Sequence, residues 1–487
     1  MNDKELKTKV ASGMIWAFGE RFLSQIVSFV VSIVLARMLV PDAYGVVTLV
    51  TVFINIANVF VTNGLGEALI QKKDADDLDF STMFYCSIVL ALAIYLILFF
   101  SAPYIAMFYK NEHVKTVLRV IALKIPLSSI STIQNAYISK RMMFKKFFFS
   151  TFSGTLLSGT VGIIMAYAGL GVWALVAQYL LNTIVGIIVL LFIVPWHPKL
   201  LFSIESAKAL GSYGWKLMSA SLIQELYTQL RSLIIGRMYT TADLAYYNKG
   251  NNFATLVITN VDTSINKVVF PALANSSDNP SKMRAVGRRA MKTTSFVIFP
   301  IMAGLFAVAD TLVYILLGEN WMEAAVYLQI ACVTFGTVPV QTANWQIIKA
   351  MGRSDICLKL EIVKKIIGVI FIILSMGFGV KAIAVSAAVV AIVSMLINMG
   401  PNKKLIGYSI KDQIIDLLPS LVNSVVMAIG VVQIARLALA PILTIVIQIC
   451  VGVAIYILLS IVFKVDSLYY LLDILKKFVD TRKIRRK

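Results

Sequence analysis

The sequence predicts an all-α, polytopic membrane protein with about 14 transmembrane helices, arranged as two six-helix bundles plus a C-terminal helix pair. Its 487 residues are 59% hydrophobic and only 14% charged, whereas soluble domains carry about 25% charged residues. Apolar segments recur along the whole chain, each long enough for the roughly 20 residues that a bilayer requires. The two halves of the chain also repeat each other at an offset of 200 residues.

The apolar segments divide the chain into four predicted parts. The segments run over residues 12–38, 43–68, 81–108, 116–138, 148–169, 171–194, 209–237, 243–272, 291–317, 322–350, 358–378, 380–400, 414–437 and 441–463. They predict a first bundle over residues 1–200, a second over 201–405, an added helix pair over 406–465 and a basic tail over 466–487. Prolines within the segments predict kinks near Pro126, Pro300, Pro339 and Pro419.

The internal repeat is carried by polar residues as well as by identities. Four residues recur unchanged after 200 positions: Ser12, Ser32, Arg37 and Met38 return as Ser212, Ser232, Arg237 and Met238. The first segment places Arg21, Gln25, Ser28 and Ser32 on one helical face, and the seventh repeats those steps with Ser221, Glu225, Thr228 and Ser232. Paired halves with polar helix faces are typical of transporters, whose pathway lies between two similar bundles.

The distribution of basic residues predicts the orientation of the chain. Of the 45 Lys and Arg residues, 32 fall on the side that holds both termini, 6 fall on the opposite side and 7 lie within the predicted spans. The positive-inside rule therefore predicts that both termini are cytoplasmic. Topology and contact with anionic membrane lipids account for the net charge of +20, so no nucleic-acid partner is expected.

Metal, cofactor and enzyme chemistry find little support in the sequence. The four cysteines lack CxxC spacing and the two histidines, His113 and His197, lack a partner cluster, so neither a metal nor a cofactor is expected. Asp74 and Asp76 form an Asp-x-Asp run, but it lies in a short loop with no nucleotide-binding domain. A solvated charge run is the favoured interpretation, and the protein is expected not to be an enzyme. The absence of a P-loop argues against an ATP-driven pump.

Charged residues within spans are the candidate functional residues, because each costs about 2.5–3.5 kcal/mol to insert unless it meets a cavity or a partner. The excess of cations predicts an anionic ligand, with Arg and Lys clamping its phosphates. The candidate cations are Arg21, Arg119, Lys124, Lys216, Arg231, Lys249 and Lys267. The candidate polar lining comprises Gln25, Ser28, Asn55, Asn58, Gln224, Asn252 and Thr255. Glu20, Glu225 and Asp262 are candidates for ion or proton coupling.

A structural role remains the alternative for each candidate. Glu20 and Arg21 could form a local pair, and Arg119, Lys249 and Lys267 could extend to the interface from helix ends. Carboxylates within spans commonly pair with neighbouring cations. The Ser, Thr and Asn stripes could serve only to hold helices together.

Several short motifs resemble one family of membrane proteins. Leu35-Ala36-Arg37 is followed by Pro41-Asp42 and Tyr44-Gly45, and the run Asn63–Gln71 comes after them. The second half adds the runs Ile234–Gly250, Val268–Ala274 and Gly318–Ala324 in the same order. Together they resemble the polysaccharide exporters of the multidrug/oligosaccharidyl-lipid/polysaccharide flippase superfamily, in the branch that includes colanic acid and teichuronic acid exporters.

This resemblance implies two six-helix bundles arranged in a V, with helices 1, 2, 7 and 8 lining a central cationic cavity. It implies a flippase that moves a polyprenyl-diphosphate-linked oligosaccharide across the bacterial cytoplasmic membrane by alternating access. The product would feed synthesis of a lipopolysaccharide O-antigen, capsule, exopolysaccharide or teichuronic-type polymer, with polymerase machinery as a further partner. The lipid tail would follow the bilayer or a groove beside helices 13 and 14.

Two other function classes are alternatives to the flippase. A multidrug cation antiporter of the same superfamily should present acids and aromatic side chains to its ligand, whereas this chain is enriched in Lys and Arg. A membrane glycosyltransferase or polymerase needs a large extramembrane domain, and no loop here is long enough to form one.

Overall fold

A computed structural model describes residues 23–276, 279–437, 439–473 and 476, with the side chains of residues 144, 260–268 and 270 left out of the description. Every regular element in these residues is helical, which confirms the predicted all-α class. The chain forms two compact units, one that ends at Ala245 and one that begins at Tyr246. The predicted bundle boundary at residue 200 stays a prediction.

The first unit contains nine helices within the described residues and the start of a tenth. They are α1 (Leu23–Met38), α2 (Pro41–Thr62), α3 (Leu65–Gln71), α4 (Asp77–Tyr109), α5 (Glu112–Ile121), α6 (Lys124–Lys140), α7 (Phe144–Tyr167), α8 (Val172–Ile193), α9 (Ile204–Met238) and the first turn of α10 (Thr241–Ala274).

The second unit continues α10 and is also helical throughout its described part. Its elements are α11 (Pro280–Ala307), α12 (Ala309–Leu317), a 3-10 turn (Glu319–Trp321), α13 (Glu323–Gly336), α14 (Val338–Ala350), α15 (Ser354–Ser375), α16 (Val380–Met399), α17 (Asn402–Ile406), α18 (Ile410–Ala435) and α19 (Pro441–Val462). Residues 466–473 form a further helical segment.

Ten described helical stretches are long and apolar enough to cross a membrane. They include the pairs that form a single stretch, such as α5 with α6 and α13 with α14. The helices α9, α10 and α15 carry more polar residues and fall outside this set, and part of the first predicted span lies outside the described residues. The chain is thus a multi-pass membrane protein, while the count of 14 spans is not confirmed.

Prolines interrupt some predicted helices and not others. A proline lacks the backbone N–H that would bond the carbonyl four residues earlier, and Pro126 follows a break at Ala122 and Leu123 between α5 and α6. Pro339 stands in the first turn of α14, directly after another break. Pro300 and Pro419 instead lie inside the continuous helices α11 and α18.

The predicted helix over 43–68 is broken at Gly64, which separates α2 from α3. Gly64 has φ +104° and ψ −63°, a backbone conformation that residues with a side chain rarely adopt. A Cβ atom at Gly64 would lie 2.5 Å from the backbone oxygen of Gly214 in α9, and one at Gly214 would lie 2.9 Å from the backbone oxygen of Gly64. The two backbones can cross this closely only because both residues lack side chains.

The stretch between α8 and α9 is bonded to the first turns of α4. The backbone N–H of Lys199 donates to Ser81 Oγ at 3.1 Å, and that of Ser203 donates to Thr82 Oγ1 at 3.1 Å. Ser206 Oγ donates to the buried carboxylate of Asp79. This stretch is therefore fixed to α4 at several points.

Candidate functional site

The structure leaves part of the predicted site undescribed. Glu20 and Arg21 lie outside the described residues. Asp262 and Lys267 lie in α10 at positions whose side chains are not described. The roles predicted for these four residues stay predictions.

Lys124 is a candidate cation of the first unit that lies against an aromatic ring. It opens α6 just after the break that precedes Pro126, and its amino group lies 5.5 Å from the centre of the Tyr179 ring on α8. A cation above an aromatic face is attracted by the ring quadrupole, but the ring does not neutralise its charge. Within the described residues, Lys124 forms no ion pair. The helix continues with the buried residues Ser128 and Thr132.

The guanidinium of Arg119 is bonded to a neighbouring helix of the protein. It lies in the last turn of α5, where its Nε donates to the backbone oxygen of Phe99 at 3.2 Å. Its guanidinium also lies 4.2 Å from the centre of the Phe99 ring. These contacts hold Arg119 against α4, in keeping with the structural alternative.

The candidate residues of α9 differ in exposure. Lys216 and Gln224 are exposed, whereas Glu225 and Arg231 are half-buried. Glu225 Oε1 accepts a hydrogen bond from Gln229 Nε2 at 2.7 Å, and it forms no ion pair within the described part of the chain. The Nε atom of Arg231 is buried without a hydrogen-bond partner among the described residues.

The remaining polar candidates belong to α1, α2 and α10. Gln25 and Asn58 are half-buried, and the side-chain oxygen of Asn58 is buried without a described partner. Ser28, Asn55 and Asn252 are exposed. In the second unit, Thr255 donates to the backbone oxygen of Asn251 at 2.9 Å, and the amino group of buried Lys249 lies 5.6 Å from the Trp321 ring centre.

The second unit contains an apolar cavity of about 670 Å³. The helices α11, α13, α16 and α18 line it, with Phe299, Met302 and Met395 among the larger side chains. Flexible thioethers and an aromatic ring suit an apolar ligand of irregular shape. One wall of the cavity is formed by α18, which lies in the predicted thirteenth span, and the lipid groove predicted beside that span stays a prediction.

A ladder of ion pairs joins α11 to α18, and the sequence-based search missed it. Arg288 donates from Nε and from Nη2 to the two carboxylate oxygens of Asp416, both at 2.6 Å, and Arg284 pairs with Asp412 at 3.4 Å. The signal was available in the spacing, because both pairs step by four residues and so follow one helical face. These cations therefore serve packing within the unit.

Tyr408 completes the inner rung of this ladder. Its hydroxyl donates to Asp416 Oδ2 at 2.7 Å. Burial, and then the bond to this carboxylate, raise the pKa of the Tyr408 hydroxyl above its usual value, so the phenol remains a donor. The Asp416 side chain is only 4% exposed and is satisfied by charged and neutral donors together.

No group of three or more His, Cys, Asp or Glu residues among those described is arranged to hold a metal ion. The chemistry that the described side chains offer is binding of anions by buried or half-buried cations, together with accommodation of an apolar chain.

Residues 34–326 match the family described as "Polysaccharide biosynthesis protein". The match covers more than half of the chain. The chain belongs to this family. The motifs at Leu35-Ala36-Arg37 and Gly318–Ala324 lie inside the matched range, which confirms the resemblance.

Two relatives show how much of the chain is similar to known proteins. The chain is 25% identical to the teichuronic acid biosynthesis protein TuaB of Bacillus subtilis, over 62% of each chain. It is 23% identical to the lipopolysaccharide biosynthesis protein WzxC of Escherichia coli, over 89% of this chain and 90% of the relative.

Solved structures support the fold. The lipid II flippase MurJ in an inward closed conformation matches with a TM-score of 0.75 and 15% identity, over 94% of this chain and all of that one. An inward-facing multidrug resistance transporter of the MATE family matches with a TM-score of 0.62 and 12% identity, over 80% of this chain and 98% of that one. The second is described as a transporter of the MOP superfamily, and at these identities both structures establish the fold alone.

Proposed function

We propose that this chain is a flippase that moves a polyprenyl-diphosphate-linked oligosaccharide across the bacterial cytoplasmic membrane by alternating access, for synthesis of a surface polysaccharide. Family membership supports this role. So do the names of relatives that act in teichuronic acid and lipopolysaccharide biosynthesis. Both termini would be cytoplasmic, and the chain would move its substrate without altering it chemically.

The observation that carries the proposal is the position of Lys124. A cation placed within a span normally meets an acid, a water-filled cavity or a ligand. Lys124 lies against Tyr179, with no acid beside it among the described residues. A diphosphate would supply the missing negative charge through charge-assisted hydrogen bonds. Arg21 and Arg231 in the first unit, and Lys249 in the second, are proposed as further cations that bind the substrate.

The apolar cavity of the second unit supports the same proposal. A polyprenyl tail exposes only hydrocarbon, so it loses little by leaving lipid for a cavity lined by Phe299, Met302 and other apolar side chains. The second unit would thus offer apolar contacts to the lipid tail.

Lys124→Gln should abolish most of the transport. Cells that lack the protein should accumulate a polyprenyl-diphosphate oligosaccharide and lose surface glycan, as measured by lipid mass spectrometry and glycan staining. Wild-type protein should reverse both effects, whereas Lys124→Gln should lower the transport rate about tenfold or more, the effect of losing one charge-assisted bond to phosphate. Lys124→Arg should retain most of the rate.

The matched control is Lys381→Gln, which removes a cation that is 60% exposed and pairs with Glu323 at the surface. It should behave as wild type. Full activity of Lys124→Gln at wild-type expression would contradict the assignment of the phosphate site. An unchanged lipid pool in the null cells, with greater sensitivity to cationic dyes, would favour the antiporter instead.

Glu225 and Asp262 are proposed as coupling carboxylates, and Glu225 offers the clearer test. It is half-buried on α9 and bonded to Gln229. If Glu225 carries a proton or a sodium ion, Glu225→Gln should reduce gradient-driven transport in proteoliposomes about tenfold, equivalent to one lost charged hydrogen bond. Glu205→Gln at the exposed start of the same helix should have no effect. Gradient-driven transport that survives replacement of both Glu225 and Asp262 would reject this hypothesis.

A further inference from the structure

A second cationic site lies in the second unit, where α11 meets the helical segment 466–473. The two elements enclose a cavity of about 450 Å³, here called the α11–tail pocket. Its charged and hydrogen-bonding lining includes Arg288, Arg289, Lys292, Asp466, Ser467 and Tyr470. None of these residues belongs to the proposed transport site.

Among the described residues, one cation of the α11–tail pocket has no acid beside it. Arg288 is bonded to Asp416 in the ladder, and Lys292 Nζ lies 2.9 Å from Asp466 Oδ2. Arg289 forms neither a hydrogen bond nor an ion pair with an acid among the described residues. Its guanidinium lies 4.6 Å from the centre of the Tyr470 ring. A guanidinium stacked on a ring keeps its N–H groups free to donate in its own plane. Arg289 is therefore ready to bind an anion.

The residues around the pocket are of the kinds that are common at a membrane surface. Val465, Leu468 and Leu471 pack into an apolar cluster with Phe296 of α11, which holds the 466–473 segment against the unit. Tyr469 of the same segment is 50% exposed. Basic and tyrosine side chains at the end of a span are typical of the level where lipid headgroups lie.

We propose that the α11–tail pocket binds the phosphate of an anionic phospholipid headgroup. Arg289 donates to the phosphate oxygens, and the amino group of Lys292 and the hydroxyl of Ser467 lie in the same pocket. Basic pockets between transmembrane helices are known to select such headgroups. Asp466 opposes the anion, but its side chain is 83% exposed, so its pair with Lys292 is weak and can be exchanged.

The proposal does not depend on the flippase assignment, because it concerns lipids of the surrounding leaflet and is tested by binding. The full-length protein in detergent would be titrated with dioleoyl phosphatidylglycerol, and the bound lipid counted by native mass spectrometry. Arg289→Gln should weaken binding ~5-fold, equivalent to one charge-assisted bond. Asp466→Asn should tighten it ~3-fold, because it removes a repelling carboxylate.

Lys404→Gln is the matched control, since it removes an exposed cation of α17, outside the pocket, at the same end of the unit. Lys404→Gln should leave the affinity for phosphatidylglycerol unchanged. Inorganic phosphate added at the same concentration as the lipid should also leave this affinity unchanged. An equal effect of Arg289→Gln and Lys404→Gln would overturn the proposal in favour of a diffuse charge effect. Displacement of the lipid by equimolar inorganic phosphate would overturn the headgroup assignment, and equal binding of dioleoyl phosphatidylcholine would overturn the requirement for a net negative charge.

Discussion

Gly64→Ala is expected to lower the amount of folded protein in the membrane to a small fraction of the wild-type amount. Gly64 has a positive φ that costs a side-chain-bearing residue about 1–3 kcal/mol. The added Cβ would also lie 2.5 Å from the backbone oxygen of Gly214, which belongs to a helix backbone and cannot rotate away. The combined cost of about 3 kcal/mol or more is a large part of the stability of a typical protein.

The same helix supplies the control for this prediction. A Cβ at Gly211 in α9 would contact nothing within 4 Å, whereas one at Gly214 would lie 2.9 Å from the oxygen of Gly64. Gly214→Ala should thus destabilise the protein, and Gly211→Ala should be neutral or stabilise it by up to ~1 kcal/mol through helix propensity. Yield and thermal midpoint by fluorescence-detected size-exclusion chromatography would measure the difference. A wild-type midpoint for Gly64→Ala would show that α2 and α9 do not cross this closely.

Asp416→Asn is expected to cause the second-largest loss, because it removes the charge at the centre of the α11–α18 ladder. The carboxylate is buried, and it accepts bonds from Arg288 and from Tyr408. Loss of a charged hydrogen bond of this kind costs about 2 kcal/mol. The thermal midpoint should fall by several degrees, ~2–4 °C for each kcal/mol in a chain segment of this size.

A double variant distinguishes loss of the ion pair from the effect of leaving one charge without its partner. Arg288→Met with Asp416→Leu replaces a half-exposed guanidinium and a buried carboxylate with apolar groups of similar size, and apolar replacement of both partners avoids leaving one buried charge unpaired. The double variant should recover part of the midpoint lost by either single variant, because the Tyr408 hydroxyl still loses its acceptor. Arg353→Gln serves as the control, since the Arg353–Asp355 pair is about half exposed on both sides, and it should leave the midpoint unchanged. A wild-type midpoint for Asp416→Asn would mean that the ladder adds nothing to the packing of α18.

The sequence could predict the helices but not all of their breaks. The span predicted over 43–68 runs through Gly64 although Asn63-Gly64 is a common turn pair, and the close crossing with Gly214, which lies 150 residues later in the chain, leaves no signal in the sequence. The break before Pro126 could be predicted, because proline removes a hydrogen bond within its own helix. Pro300 lies in an equally apolar helix that stays continuous, so proline alone does not decide where a helix ends.

The candidate site was predictable in kind more than in detail. Hydropathy identified Lys124 as a cation within an apolar chain, but Tyr179 lies on a different helix and its proximity depends on how α6 packs against α8. Arg119 has the same signature in the sequence, and only the contact with Phe99 distinguishes it. The Arg288–Asp416 pair required a register between two helices that are 128 residues apart.

The hydrogen bonds that join the 199–206 stretch to α4 have a mechanical consequence. A connector with no such bonds would let α9 swing while α4 stood still. Here Lys199, Ser203 and Ser206 each hold a residue in the first turns of α4. The stretch is therefore a rigid connection. We expect α4 and the start of α9 to move together as one rigid body during a transport cycle.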